Sequence, residues 1–168
     1  MGLDMYLYAE HYVKKWDHNP PSQQFTTTLV DGNGKLRTDI NPERVKYVTE
    51  EVGYWRKANQ IHMWFVNECQ KGIDECQRTY VQPEKLIELR DICKRLLESH
   101  SKEDALDELP PAEGGFFFGT YGPDYVDDEY YWQDLQDTLD ILSKLNLGDD
   151  PDLSSEWYAP EYYYQSSW

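Results

Sequence analysis

Four carboxylates, Glu129, Asp134, Asp137 and Asp140, fall on one side of a helical wheel, away from an apolar stripe of Tyr131, Leu135, Leu139, Leu142 and Leu145. Asp134, Asp137 and Asp140 step by three, so their charges are neighbours on the helix surface and repel by about 0.2–0.5 kcal/mol per pair. Lys144 is the base placed to relieve them. A solvated face ordinarily mixes signs. A row of carboxylates at this spacing has the chemistry to imitate a nucleic-acid backbone in a basic groove. An ordinary acidic face is the plainer account of the same residues. Asp127 and Asp128 need neither account, because acids in the first turn complement the helix dipole.

The last stretch of the chain poses a related question. Residues 148–168 contain no base, and Asp149, Asp150, Asp152, Glu156 and Glu161 are interleaved with Trp157, Tyr158, Tyr162, Tyr163, Tyr164 and Trp168. Aromatic side chains are the usual anchors of interfaces, and carboxylates among them suit a basic, grooved partner. The alternatives are that the segment packs back on its own domain or docks on a second copy in a homo-oligomer.

A third group sits around the stretch Tyr54–Phe65. His62 lies in an apolar stripe with Trp55, Ala58, Phe65, Val66 and Cys69, and reads as a core histidine before it reads as a catalytic base. Trp64, nearly opposite that stripe, is expected to be partly exposed. Arg56 and Asn59 flank the stripe. With Asp4 and Tyr6 from the start of the chain, Arg56, Asn59 and His62 are expected to line a pocket for an anion or a polar ligand such as a nucleotide.

Other chemistry finds little support. Cys69 and Cys76 have no second pair to complete a zinc site, and three cysteines make no disulfide framework, so reduced thiols and no metal are expected. Gly114–Gly119 lacks the Gly-Lys-Ser/Thr of a phosphate-binding loop, and no Gly-x-Ser-x-Gly or His-Glu-x-x-His occurs. With 32 acids, carboxylate pairs decide nothing. No catalytic residue and no cofactor is assigned.

Charge bounds the partner class. The net charge of -16 is divided unevenly: residues 1–100 balance to -1, whereas residues 101–168 carry Lys102 and Lys144 against 17 acids, a balance of -15. Such a field repels phosphates, so direct nucleic-acid binding is not expected. It attracts a basic protein or nucleoprotein surface. No apolar run reaches the roughly 18 residues of a membrane span, and the first residues lack the pattern of a signal peptide. A cytoplasmic protein is the expectation.

The elements that must position these residues follow from periodicity. Leu3, Met5 and Leu7 alternate with Asp4, Tyr6 and Tyr8, a strand with one buried face. Phe25–Val30 and 35–39 read as strands about the turn Asp31-Gly32-Asn33-Gly34. A helix is expected over 54–70 and stops at Gly72. A second opens at Pro83 with the stripe Leu86, Leu89, Cys93, Leu96 and Leu97. Gly115–Gly119 reads as a buried strand, and Asp124 caps a third helix to about Leu145. The fold class is α+β: a small antiparallel sheet packed with three main helices in one domain, 1–147, followed by an acidic, aromatic tail, 148–168.

The opening Met1-Gly2-Leu3-Asp4-Met5-Tyr6-Leu7, the motif Gly53-Tyr54-Trp55-Arg56-Lys57-Ala58-Asn59 with Ile61-His62 and Trp64-Phe65, and Gly115-Phe116-Phe117-Phe118-Gly119 resemble a family of small proteins encoded by bacteriophages and prophages. The resemblance spans about residues 1–145 and brings no catalytic residues with it. It implies an accessory protein acting in the bacterial host cytoplasm. The leading expectation is stoichiometric inhibition of a host nucleic-acid-handling or defence system, with the helix carboxylates and the tail against a basic host protein or nucleoprotein complex. The alternative is a small-ligand protein or enzyme built on the pocket.

Overall fold

The computed structural model describes residues 2–14, 16–112, 122–148 and 159–168. Strand β1 (Asp4–Tyr12) realises the alternation of its sequence: Met5, Leu7 and Ala9 are buried, while Asp4, Tyr6 and Tyr8 turn to the other face. It pairs antiparallel with β2 (Tyr47–Arg56) on one side and with β4 (Glu161–Ser167) on the other. The short β3 (Thr79–Val81) closes the far edge against β4, so the order is β2-β1-β4-β3. The two ends of the chain are therefore the two central strands.

This placement corrects the division at residue 148. Glu161–Ser167 of the final segment form a sheet strand and belong to the domain. Tyr162, Tyr164 and Ser166 alternate inward with Glu161, Tyr163 and Gln165 outward, a period-two pattern hidden under the acidic composition. The two inward tyrosines are almost fully buried, and each hydroxyl is bonded: Tyr162 Oη donates to the Asn146 carbonyl at 2.8 Å, and Tyr164 Oη lies 2.7 Å from His62 Nδ1.

Tyr54–Arg56, expected to begin a helix, instead continue β2. Trp55 pairs with Met5 and fills the core, and its indole donates to Thr138 at 2.9 Å. Backbone pairing with β1 outweighs helical propensity here. Lys57 takes a left-handed φ of 63° that breaks the strand, and α1 (Asn59–Cys69) follows. It is enclosed on more than one side: Ile61, Phe65 and Val66 are buried, and so is Trp64 at 7 % exposure, contrary to expectation. Leu109 and Pro110 line one concavity with Trp64 on the side that a single-stripe reading left to solvent.

Helix α2 (Pro83–Ser99) buries Leu86, Leu89, Cys93 and Leu96 and ends at His100, in the left-handed region. Helix α3 (Lys102–Glu108) is capped by Ser101, and α4 (Glu129–Leu142) by Asp128. Residues Pro123–Asp127 form a separate 3₁₀ turn, so Asp124 caps no α-helix. Helices α2 and α4 pack on each other, and α4 reaches the sheet through Ile141 against Gly53. The helices thus cover one face of the sheet. The 31–34 turn forms, with Asp31 Oδ1 accepting from Asn33 and Lys35 N–H groups at 2.9 Å, but the flanking strands reduce to the single bridge Val30–Leu36. The expected strand at Gly115–Gly119 lies outside the described residues. Among the described residues no helix is long and apolar enough to cross a membrane.

Candidate functional site

The expected pocket does not assemble, because the sheet divides its residues. Asp4, Tyr6 and Arg56 lie on the face away from the helices, whereas Asn59 and His62 are buried in α1 on the other side. Asn59 accepts the Ala112 N–H at 2.8 Å and holds the chain there. His62 joins Tyr164 to Asp74: Nδ1 is 2.7 Å from Tyr164 Oη and Nε2 is 3.0 Å from Asp74 Oδ2. Burial holds the imidazole below its ordinary pKa, with Asp74 opposing. The consistent arrangement is a neutral ring that accepts from the tyrosine and donates to the carboxylate. Tyrosine, histidine and aspartate in series have the form of a nucleophile, base and orienting acid. The Tyr164 hydroxyl is sealed, however, and burial raises its pKa well above the ordinary value. No substrate reaches it, and the trio pins β4 to α1 and to the loop carrying Asp74.

The carboxylate row is also altered. Asp134 leans inward and accepts from Gln60 Nε2 at 3.0 Å. Burial raises its pKa to about 6, against the Gln60 hydrogen bond and with a further push from Asp137. Glu129, Asp137 and Asp140 remain exposed. Gln133 donates to Asp137 and Gln136 to Asp140, both at 2.8 Å, so amides one turn back temper the repulsion. Glu103, Asp104 and Asp107 of α3 are exposed as well, and Lys102 at the start of that helix pairs with Asp127.

Of the predicted aromatic anchors, Tyr162 and Tyr164 are core residues and face no partner. Trp168 is 41 % exposed, with its indole 3.3 Å from Asp74 Oδ1. Trp157 and Tyr158 lie outside the described residues. Tyr163 takes its place on the open face of the sheet.

That face is the most distinctive surface of the molecule. Residues in register across an antiparallel sheet point the same way. Tyr54 pairs with Tyr6, Tyr8 with Tyr163, and Tyr163 with Tyr80. Between Leu7 and Tyr8 a β-bulge shifts the register, so Glu51 pairs with Tyr8 and shares the face with Tyr54. Ring centroids follow one another at 5.4 Å (Tyr54–Tyr6), 6.0 Å (Tyr6–Tyr8) and 5.9 Å (Tyr163–Tyr80). Arg78 bridges the two groups, 4.3 Å from the Tyr163 ring and 5.7 Å from Tyr8, with its Nη2 3.0 Å from Glu10 Oε2. Tyr54 Oη donates to Asp4 at 2.6 Å, and Tyr163 Oη to Glu161 at 2.9 Å. These carboxylate bonds raise both hydroxyl pKa values, Tyr163 to about 12. Tyr8 is raised mainly by burial and then by Glu51. All three stay neutral in a negative field.

Sequence reasoning found Asp4, Tyr6 and Arg56 but missed Tyr8, Tyr54, Arg78, Tyr80 and Glu10. The alternation Asp4-Tyr6-Tyr8 was a usable signal. The strands that complete the face come from distant segments, and no local pattern names them.

A cleft of about 500 Å³ lies at the other end of β1 among His11, Tyr12, Val13, Phe25, Val48, Glu50 and Ala159. His11 Nε2 is 2.8 Å from Glu50 Oε2 there. Elsewhere burial pushes the Cys69 thiol up to about 11 and Cys93 to about 12, which removes both as nucleophiles at neutral pH. Among the described residues no group of three metal-binding side chains converges. Comparison of the chain with family models, with curated proteins and with solved structures yields no match.

Proposed function

We propose that the chain is a non-enzymatic binding protein that acts by stoichiometric contact with a basic partner. In keeping with the phage-like sequence motifs, the partner would be a host nucleic-acid-handling or defence protein whose basic groove it occupies. The carrying observation is the segregation of charge: Glu129, Asp137 and Asp140 on α4 and Glu103, Asp104 and Asp107 on α3 are all exposed, while Lys102 and Lys144 are the bases of the last 68 residues. An acidic field of this kind steers a cationic partner and excludes nucleic acid itself. The sealing of Tyr164 beside His62 supports binding over catalysis.

Affinity capture from host lysate, followed by titration of the captured protein, tests the proposal. Binding is expected to weaken at least about tenfold between low and moderately high salt, as exposed charges become screened. The double variant D137K/D140K is expected to weaken it further. A partner without a basic surface, or an affinity indifferent to salt, refutes it.

The cleft at His11 and Glu50 favours a second reading, a small-ligand site. A thermal-shift screen with nucleotides tests it: stabilisation abolished by H11A supports a ligand there, and a flat screen rejects nucleotides as that ligand.

A further inference from the structure

The open face of the sheet already holds cations of the chain's own: Arg56 stands at its edge, 4.0 Å from Asp4, and Arg78 lies among the tyrosines. Arg78 lies over the Tyr163 ring at 4.3 Å and beside Tyr8 at 5.7 Å, and Glu10 takes its charge at 3.0 Å. An aromatic face plus a carboxylate satisfies both parts of a guanidinium, its flat π-surface and its N–H edge. The same two elements recur on the other side of Tyr8. Tyr6 and Tyr54 lie 5.4 Å apart, Tyr54 is 46 % exposed, and the exposed Glu51 is in register with Tyr8. Among the described residues no cation of the chain stands over Tyr6 or Tyr54, and none pairs with Glu51.

We propose that this half of the face is an arginine-binding surface: Tyr6 and Tyr54, with Glu51, take a guanidinium from an extended basic segment of a partner protein, as Tyr163 and Glu10 take Arg78. Alternate side chains of an extended strand repeat at about 6.8 Å, which suits the 5.4–6.0 Å succession of rings. The proposal rests on the basic-partner reading above and assigns that partner a surface and a side-chain chemistry. Charge decides between occupants. A row of tyrosines can also stack nucleobases, but phosphates would then approach Asp4, Glu10, Glu51 and Glu161 on a chain of net charge -16. A second copy laid face to face would oppose the same carboxylates.

The test uses the full chain with tyrosine-ring carbons labelled for NMR. The probes are the blocked pentapeptide Gly-Arg-Gly-Arg-Gly, its lysine counterpart and a dT12 oligonucleotide. The arginine peptide is expected to shift the ring signals of Tyr6, Tyr8 and Tyr54 in a saturable way and to bind about threefold or more tighter than the lysine peptide. Y54L and E51Q, both at exposed positions and checked for an unchanged fold by circular dichroism, are expected to weaken it about three- to fivefold each. G32A, in a turn where an added Cβ meets nothing within 4 Å, is expected to leave it unchanged. Absence of ring shifts overturns the proposal, as do equal binding of the lysine peptide, ring shifts with dT12 instead, and concentration-dependent self-association as their only source. If a basic host partner is captured but the peptide leaves the rings untouched, this surface is wrong and the function reading stands. If the peptide binds and no basic partner is captured, the function reading fails and the surface stands.

Discussion

Replacing Tyr164 is the sharpest trial of the architecture, because the chain's last residues are either an appendage or the middle of the sheet. The side chain is fully buried in β4, its ring stacked on Phe65 at 4.0 Å and 7°, with its hydroxyl 2.7 Å from His62 Nδ1. Tyr164→Phe keeps the ring and strands the buried imidazole nitrogen, a loss of about 1–2 kcal/mol. With a urea m-value of about 2 kcal/mol per molar, the midpoint falls by about 0.5–1 M. Tyr164→Ala removes the ring as well. Emptying an aromatic site costs about 3–5 kcal/mol, and the unmade hydrogen bond adds about 1 kcal/mol or more. That sum rivals the whole stability of a small domain, about 5–15 kcal/mol. Equilibrium urea unfolding followed by tryptophan fluorescence reads both variants. The alanine chain is expected to be largely unfolded or to melt in very little urea, and truncation before residue 159 to abolish folding. If Tyr164→Ala unfolds within 0.3 M or so of the parent, β4 does not hold the centre of the sheet and the reasoning fails.

Three further outcomes follow from the same geometry. The Asp134 carboxyl has its pKa raised to about 6 in the folded state, above the unfolded value, so the folded chain holds a proton that the unfolded chain releases. Its contribution is full below about pH 4 and is lost as pH rises through about 6; Asp134→Asn, which keeps the Gln60 bond, is expected to stabilise at pH 7.5 by about 2 kcal/mol and to flatten that part of the pH–stability curve. At Gly53 an added Cβ would meet Ile141 Cγ2 and the Trp55 ring at 3.0 Å, so Gly53→Ala is expected to cost about 1–3 kcal/mol in thermal or urea melts; Gly32→Ala, with nothing within 4 Å, should change little. Thiol labelling at pH 8 should modify the half-buried Cys76 first, with Cys69 and Cys93 protected by raised pKa values of about 11 and 12 until the chain unfolds.

The elements that matched their sequence pattern are those whose neighbours only reinforce a local period. The alternation through Leu3, Met5 and Leu7 became β1, and the stripe of Leu86, Leu89, Cys93 and Leu96 became the inner face of α2. Trp64 and Asp134 departed because a single helical wheel assumes one buried side, whereas α1 buries Trp64 as well as Phe65 and α4 meets Gln60 through Asp134. Tyr54–Arg56 departed because partners about fifty residues away bid for their backbone.

The sequence by itself determined the α+β class, the acidic second part of the chain and the strand character of its start, all of which rest on composition or on periods within a dozen residues. Tertiary structure alone decided that the acidic aromatic end is a central strand. It also decided that Asp4, Tyr6 and Arg56 are parted from Asn59 and His62 by the sheet, and that Tyr8, Tyr54, Arg78, Tyr80 and Tyr163 meet on one face. The physical reason is register. A strand chooses its partners by what both faces bury, and the bulge after Leu7 sets Glu51 and Tyr54 side by side on the open surface, a relation that no spacing along the chain encodes.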